Sequence, residues 1–220
     1  TLVALTEVTL KVLPKKRLSN TITIYTEDKR LVNELLDKIS SSSSEISGAV
    51  YVPEEPQDES YKQNKEIVFK FNDLDSKVSF LALRVEGDKV SIDERVKALT
   101  KELDLNKLNT SKLDIYQSVP FWRKINNLEI FEQTKNNLLR AVIPPSKGNE
   151  LMQKLGNKYK YYIDWCGSLY WIEVSSKKNM RIVEIKELVK EIGGYLTIIK
   201  TSSEYDYGEA VFTVDDTRLL

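Results

Sequence analysis

Apolar and polar positions alternate at the start of the chain. In TLVALTEVTLKVLP, Val8, Leu10 and Val12 stand against Thr9 and Lys11, which predicts a strand over residues 7–13 closed by Pro14. A second strand, 21–25, is β-branched and aromatic. From Asp28 the period changes. Leu31, Val32, Leu35, Leu36 and Ile39 recur at helical spacing, and the serine run 40–44 ends that helix. Strand signals return at 47–52, and the proline-rich, charged stretch 53–66 reads as a mobile loop. Residues 67–71 and 80–85 read as strands. Gly87-Asp88 then leads into a helix with Val90, Val96, Leu99 and Leu103 on its apolar face. Over 104–136 the pattern is least regular. There Tyr116, Val119, Phe121, Trp122, Ile125 and Ile130 predict one or two short helices interrupted at Pro120.

The second half is clearer. A strand at 138–143 is closed by Pro144-Pro145, and a short helix carries Leu151, Met152 and Leu155 with Gly156 as its stop. An aromatic hairpin follows, with strands 158–165 and 169–174. A helix over 180–192 carries Ile182, Ile185, Leu188, Val189 and Ile192 and ends at Gly193-Gly194, before a last strand at 195–199. The order is β-α-β-β-α-β, and the first half repeats it. The predicted class is α+β: two ferredoxin-like repeats with antiparallel sheets and helices packed on one face. The repeats span 16–110 and 137–220, joined by a helical connection at 111–136.

The hairpin YYIDWCGSLYWIEV concentrates the candidate chemistry. Alternation places Tyr159, Tyr161, Ile163 and Trp165 on one face, with Tyr162 and Asp164 on the other. Gly167-Ser168 suits a type II′ turn. In the second strand Leu169 and Trp171 share a face, opposite Tyr170 and Ile172. Neither face is polar enough to be simply solvated. One meets the helices; the other needs a second sheet, a further domain or a partner. Two arginines, Arg84 in ALRVEG and Arg140 in LLRAVIPP, lie inside apolar strands. Each is either a stem laid over apolar neighbours or a clamp for a small carboxylate. The lone Cys166 at the turn has no histidine or second cysteine to make it a reactive pair.

Composition narrows the classes. Apolar residues make up 41% and charged residues 30%, ordinary for a globular protein. Lys+Arg and Asp+Glu are both 33, so there is no basic excess to suggest nucleic acid. The apolar runs are too short to span a membrane, and no targeting segment is expected ahead of the fold. One cysteine fits a reducing compartment. Histidine is absent, which excludes Ser-His-Asp and Cys-His nucleophiles and histidine-built zinc sites. Both ends read as cut: Thr1 starts directly in the apolar alternation, and VDDTRLL reads as the first turn of a helix. The expectation is a piece of a longer protein.

TLVALTEVTLKVLPKK resembles the segment that closes the flavin-binding domain of FAD-linked oxidases of the vanillyl-alcohol oxidase type. RAVIPPS, then DWCGSLYWI, then GGYLTIIK is similar to one branch of them, the FAD-binding subunit of bacterial glycolate oxidase. The resemblance implies that residues 1–15 end the FAD domain and that the rest is the cap or substrate domain over the flavin. It implies FAD in the full-length protein but none on this portion, which would itself be inactive. The partners it implies are a catalytic flavin subunit and an iron–sulfur subunit, in the cytoplasm or held at the membrane by those subunits. Val3, Ala4 and Leu5 would approach the flavin, with Val3 where the family often has glycine, and Arg140, Trp165 and Trp171 would face substrate or flavin. An exposed aromatic face would also favour self-association. The competing expectation is a regulatory or interaction module of tandem ferredoxin-like type that binds a small carboxylate.

Overall fold

In a computed structural model, the described residues are 6–12, 18–54, 56, 79–132, 134–175 and 180–202. They form α+β architecture around one eight-stranded sheet in which every pairing is antiparallel. In chain order the elements are β1 (Leu18–Tyr25), α1 (Lys29–Ser40), β2 (Ile46–Val52), β3 (Phe80–Gly87), α2 (Lys89–Glu102), β4 (Thr110–Leu113) and α3 (Ile115–Asn126). Then come β5 (Asn137–Val142), α4 (Gly148–Leu155), β6 (Lys160–Asp164), β7 (Leu169–Val174), α5 (Met180–Glu191) and β8 (Tyr195–Lys200). The strand order across the sheet is β4-β1-β3-β2-β6-β7-β5-β8. Thus the first half supplies four adjacent strands and the second half the other four. They meet where Tyr51 of β2 lies opposite Ile163 of β6.

Two apolar layers form on the two faces. On one, Ile22, Ile24, Tyr51, Leu83, Tyr161, Ile163, Tyr170 and Ile172 from the strands bury the inward stripes of α1, α2, α4 and α5. The α1 stripe is Val32, Leu35, Leu36 and Ile39, and each such side chain contributes roughly 1.5–3 kcal/mol on burial. The helix starts where Asp28 accepts hydrogen bonds from the amides of Arg30 and Leu31, and it stops at Ser41.

The four helices of the two predicted repeats share that face as expected, and the helix of the connecting segment lies on the other. There α3 packs Phe121, Trp122 and Ile125 against Val50, Val52, Phe80, Ala82 and Tyr162. Pro120 does not interrupt this helix. It removes only a donor to the carbonyl of Tyr116, at a turn whose side chain is 84% exposed. The helix is nucleated instead by a capping box, Asp114 with Gln117.

Three further expectations fail. Residues 6–12 form no strand, and Val8, Leu10 and Val12 are exposed, because no strand among the described residues pairs with them to complete the alternation. In α2 the buried residues are Ile92 and Leu99, while Val90, in the exposed first turn, faces outward. Strand β4, sequence TSKL, carries too little apolar pattern to be read and exists because it pairs with β1. The predicted strand at 67–71, most of the 53–66 loop and the C-terminal helical turn lie outside the described residues.

Candidate functional site

The face that carries α3 divides in two. Over β1 and β3, the buried hydroxyls of Ser19, Thr21 and Thr23 would be costly without partners. Ser118 bonds to Thr21 at 2.7 Å and to Ser19 at 2.9 Å, and Ser111 bonds to Thr23 at 2.5 Å. The Trp122 indole N–H donates to Thr21 Oγ1 at 2.9 Å. The Ser118 and Trp122 bonds fix α3 over the first half of the sheet, and the Ser111 bond ties β4 to β1. Beyond α3, across β6, β7, β5 and β8, the same face carries Arg140, Trp171, Tyr195, Thr197 and Ile199, and there Tyr195 and Ile199 are exposed.

Three residues singled out from the sequence converge here. Arg140 lies directly opposite Trp171 in the β5–β7 register, and its guanidinium carbon is 5.5 Å from the centre of the Trp165 ring. Trp171 is half-buried against Tyr162, with ring centres 6.5 Å apart. Trp165 is 56% exposed. Val3, Ala4 and Leu5 lie outside the described residues.

The placement of Trp165 reverses what alternation predicts. Tyr161 and Ile163 point to the four-helix face as expected, but Trp165 does not continue their row. Trp165, Cys166 and Gly167 take φ values of 50°, 51° and 97°, and the Ser168 amide donates to the Trp165 carbonyl. Those are the features of a type I′ turn centred on Cys166-Gly167, not a II′ turn at Gly167-Ser168. The left-handed step at Trp165 swings the indole onto the Arg140 face. The preceding Asp164 holds it there, accepting the Trp165 amide at 2.7 Å.

Arg84 lies on the same face, but two of its nitrogens are engaged. It stacks 4.9 Å over Trp122, donates to Ser47 Oγ at 3.1 Å and to the Ser47 carbonyl at 2.9 Å, and pairs with Glu86 at 3.5 Å. Arg84 therefore acts as a strut. Asp164 is the acidic group next to Trp165 on this face, which also carries Glu86 and Glu173. Burial raises its carboxyl above the usual range, opposed by the Trp165 amide and by the charge of Arg84. Burial likewise raises the Cys166 thiol, with the Asp164 charge adding to it, so the thiolate is disfavoured.

Alternation already puts Asp164 on this face with Tyr162, whereas sequence reasoning missed Trp122 and Gly48 as parts of it. Asp114 and Gln117, spaced as a capping box, are the signal that would have placed Trp122 on the buried side of one helix. Among the described residues no three His, Cys, Asp or Glu side chains gather to hold a metal, and no helix is long and apolar enough to cross a membrane. A scan against protein-family models finds no match for the chain, and a search of curated proteins finds no similar one.

Proposed function

We propose that this chain is the cap, or substrate, domain of an FAD-linked oxidase subunit of the glycolate-oxidase kind, and that the part of the sheet face beyond α3 covers the flavin. The observation that carries the reading is the exposed Trp165 beside Arg140 on that face, in a chain bearing the TLVALTEVTLKVLP, RAVIPPS and DWCGSLYWI segments. Each half of the sheet follows one permutation. It is β4-β1-β3-β2 in the first and β8-β5-β7-β6 in the second, with elements ordered β-α-β-β-α-β. We read these as two ferredoxin-like repeats joined edge to edge.

The residues fit the flavin as a cover. Trp165 and the half-buried Trp171 offer aromatic surface to a flat ring, and Arg140 offers a cation beside it. The flavin, when bound, supplies the hydride acceptor for oxidation of a 2-hydroxy acid. The role of this chain is to exclude water from that ring and to give the catalytic flavin subunit and the iron–sulfur subunit a surface to hold. Its apolar, sheet-built face suits that task because it is rigid.

The test is purification of the 220-residue chain alone and together with the upstream FAD domain and both partner subunits. The expected result is a colourless, inactive chain alone and its retention in a yellow complex, with Trp165→Glu released from it. Stoichiometric flavin on the isolated chain, or retention of Trp165→Glu at wild-type level, would overturn the reading.

A further inference from the structure

We infer that Arg140, with Trp165, Trp171 and Thr197, forms a subsite for one small monocarboxylate on this face of the sheet. Arg140 sits in the middle of β5, opposite Trp171 of β7 on one side and Thr197 of β8 on the other. Cross-strand partners share a face, so the guanidinium is flanked by an indole and a hydroxyl and lies 5.5 Å from the centre of a second indole. Among the described residues Arg140 makes no ion pair and no hydrogen bond.

Arg84, the other strand arginine of this face, differs from Arg140 in this respect. Both arginines stack on a tryptophan, yet Arg84 spends its donors on Ser47 and Glu86. The half-buried Arg140 has its guanidinium beside the Trp165 ring, on the strand next to Trp171, with none of its N–H donors committed among the described residues. A partly desolvated cation beside an indole is complemented by an anion. Trp165 is fixed for this task. Asp164 binds its amide, and two successive non-glycine residues hold positive φ, a conformation retained where surrounding structure enforces it and concentrated at binding sites.

The ligand class follows from counting charges. One guanidinium balances one negative charge, and its planar fork matches the two oxygens of a carboxylate. A phosphate dianion would keep uncompensated charge against two indoles and near Asp164. The rest of the ligand packs on Trp171, which suits a chain of a few carbons, and Thr197 offers a hydroxyl to a polar substituent. The inference does not rest on the flavin reading, since every group in it belongs to this chain.

The experiment is titration of the full chain with acetate, glycolate and lactate at low ionic strength, read by tryptophan fluorescence and calorimetry. Methyl glycolate and inorganic phosphate run in parallel. The acids saturate with dissociation constants on the order of 1 mM, and the neutral ester does not. Arg140→Gln weakens binding about tenfold or more, Arg140→Lys less, and the distant surface change Lys97→Ala leaves it unaltered. Circular dichroism establishes that each variant is folded. Equal binding of ester and acid, tighter binding of phosphate, unchanged affinity in folded Arg140→Gln, or no saturation by any acid would each overturn the subsite. The last outcome also covers an acidic side chain of a neighbouring domain as the true partner. Flavin retention is read separately, so either proposal fails without the other.

Discussion

The Arg84 guanidinium lies 4.9 Å from the centre of the Trp122 ring, and Gly48 on the adjacent strand leaves room for both. A Cβ at Gly48 would stand 3.0 Å from two atoms of the Trp122 ring and 3.4 Å from Arg84 Nε. Trp122 cannot yield freely, because it is buried and its N–H is committed to Thr21. Gly48→Ala is therefore expected to cost about 1–3 kcal/mol in urea unfolding, through overpacking. Wild-type stability in that variant would show that the ring has slack.

Thr21 joins two partners. Its hydroxyl accepts from the Trp122 indole and bonds to Ser118, which continues to Ser19. Thr21→Val keeps the shape and strands a buried indole N–H, at a cost of about 1–3 kcal/mol. In a Trp122→Phe background that donor is gone, so the same change should cost less. A double-mutant cycle reads the difference, expected to be about 1 kcal/mol or more. Additive single effects would mean that the bond contributes nothing.

Much of this architecture is legible in the sequence because apolar periodicity is strongest where burial is deepest. The α1, α4 and α5 stripes, and the split of Tyr170 and Ile172 from Trp171, appear as the sequence predicts. What escapes depends on long-range pairing. Strand β4 has four largely polar residues and exists through its register with β1, whereas Val8, Leu10 and Val12 alternate well and form no strand. Arg140, Trp165 and Trp171 stand out as a cation and aromatics among apolar neighbours. That Arg84 is consumed by Ser47 depends on the pairing of β2 with β3, which local pattern does not encode. The turn at Trp165 eludes the pattern because two successive left-handed non-glycine residues run against intrinsic preference.

Asp164 supplies a pH-dependent prediction. Burial, the largest cause, raises its carboxyl in the folded protein, against the Trp165 amide and Arg84. The folded state then holds the proton more tightly than the unfolded chain. Stability from this group is fully present below the unfolded carboxyl value and is lost as pH rises through the folded one. Asp164→Asn keeps an oxygen for the Trp165 amide and removes the titration. The variant should lose less stability than wild type as pH rises through the carboxyl range toward neutrality, as read by chemical denaturation at each pH. Parallel profiles would show that Asp164 does not titrate differently in the two states.

Gly193 and Gly194 end α5 side by side but for different reasons, and their alanine variants should separate them. Gly193 has φ of 78° and open space where a Cβ would stand, so Gly193→Ala meets only backbone strain, about 1–2 kcal/mol. Gly194 has no such φ, yet a Cβ there would stand 2.6 Å from Ile143 Cγ2, 2.8 Å from the Val142 carbonyl oxygen and 2.9 Å from Val189 Cγ1. One of those atoms is backbone of β5, the strand that carries Arg140, so relief requires moving β8 or the helix end away from it. Gly194→Ala should therefore cost about 3 kcal/mol or more by thermal or urea unfolding, and it should disturb tryptophan fluorescence at Trp165 where Gly193→Ala does not. The reverse order of stabilities would mean that the turn, and not the packing of α5 onto β5, holds this end of the sheet.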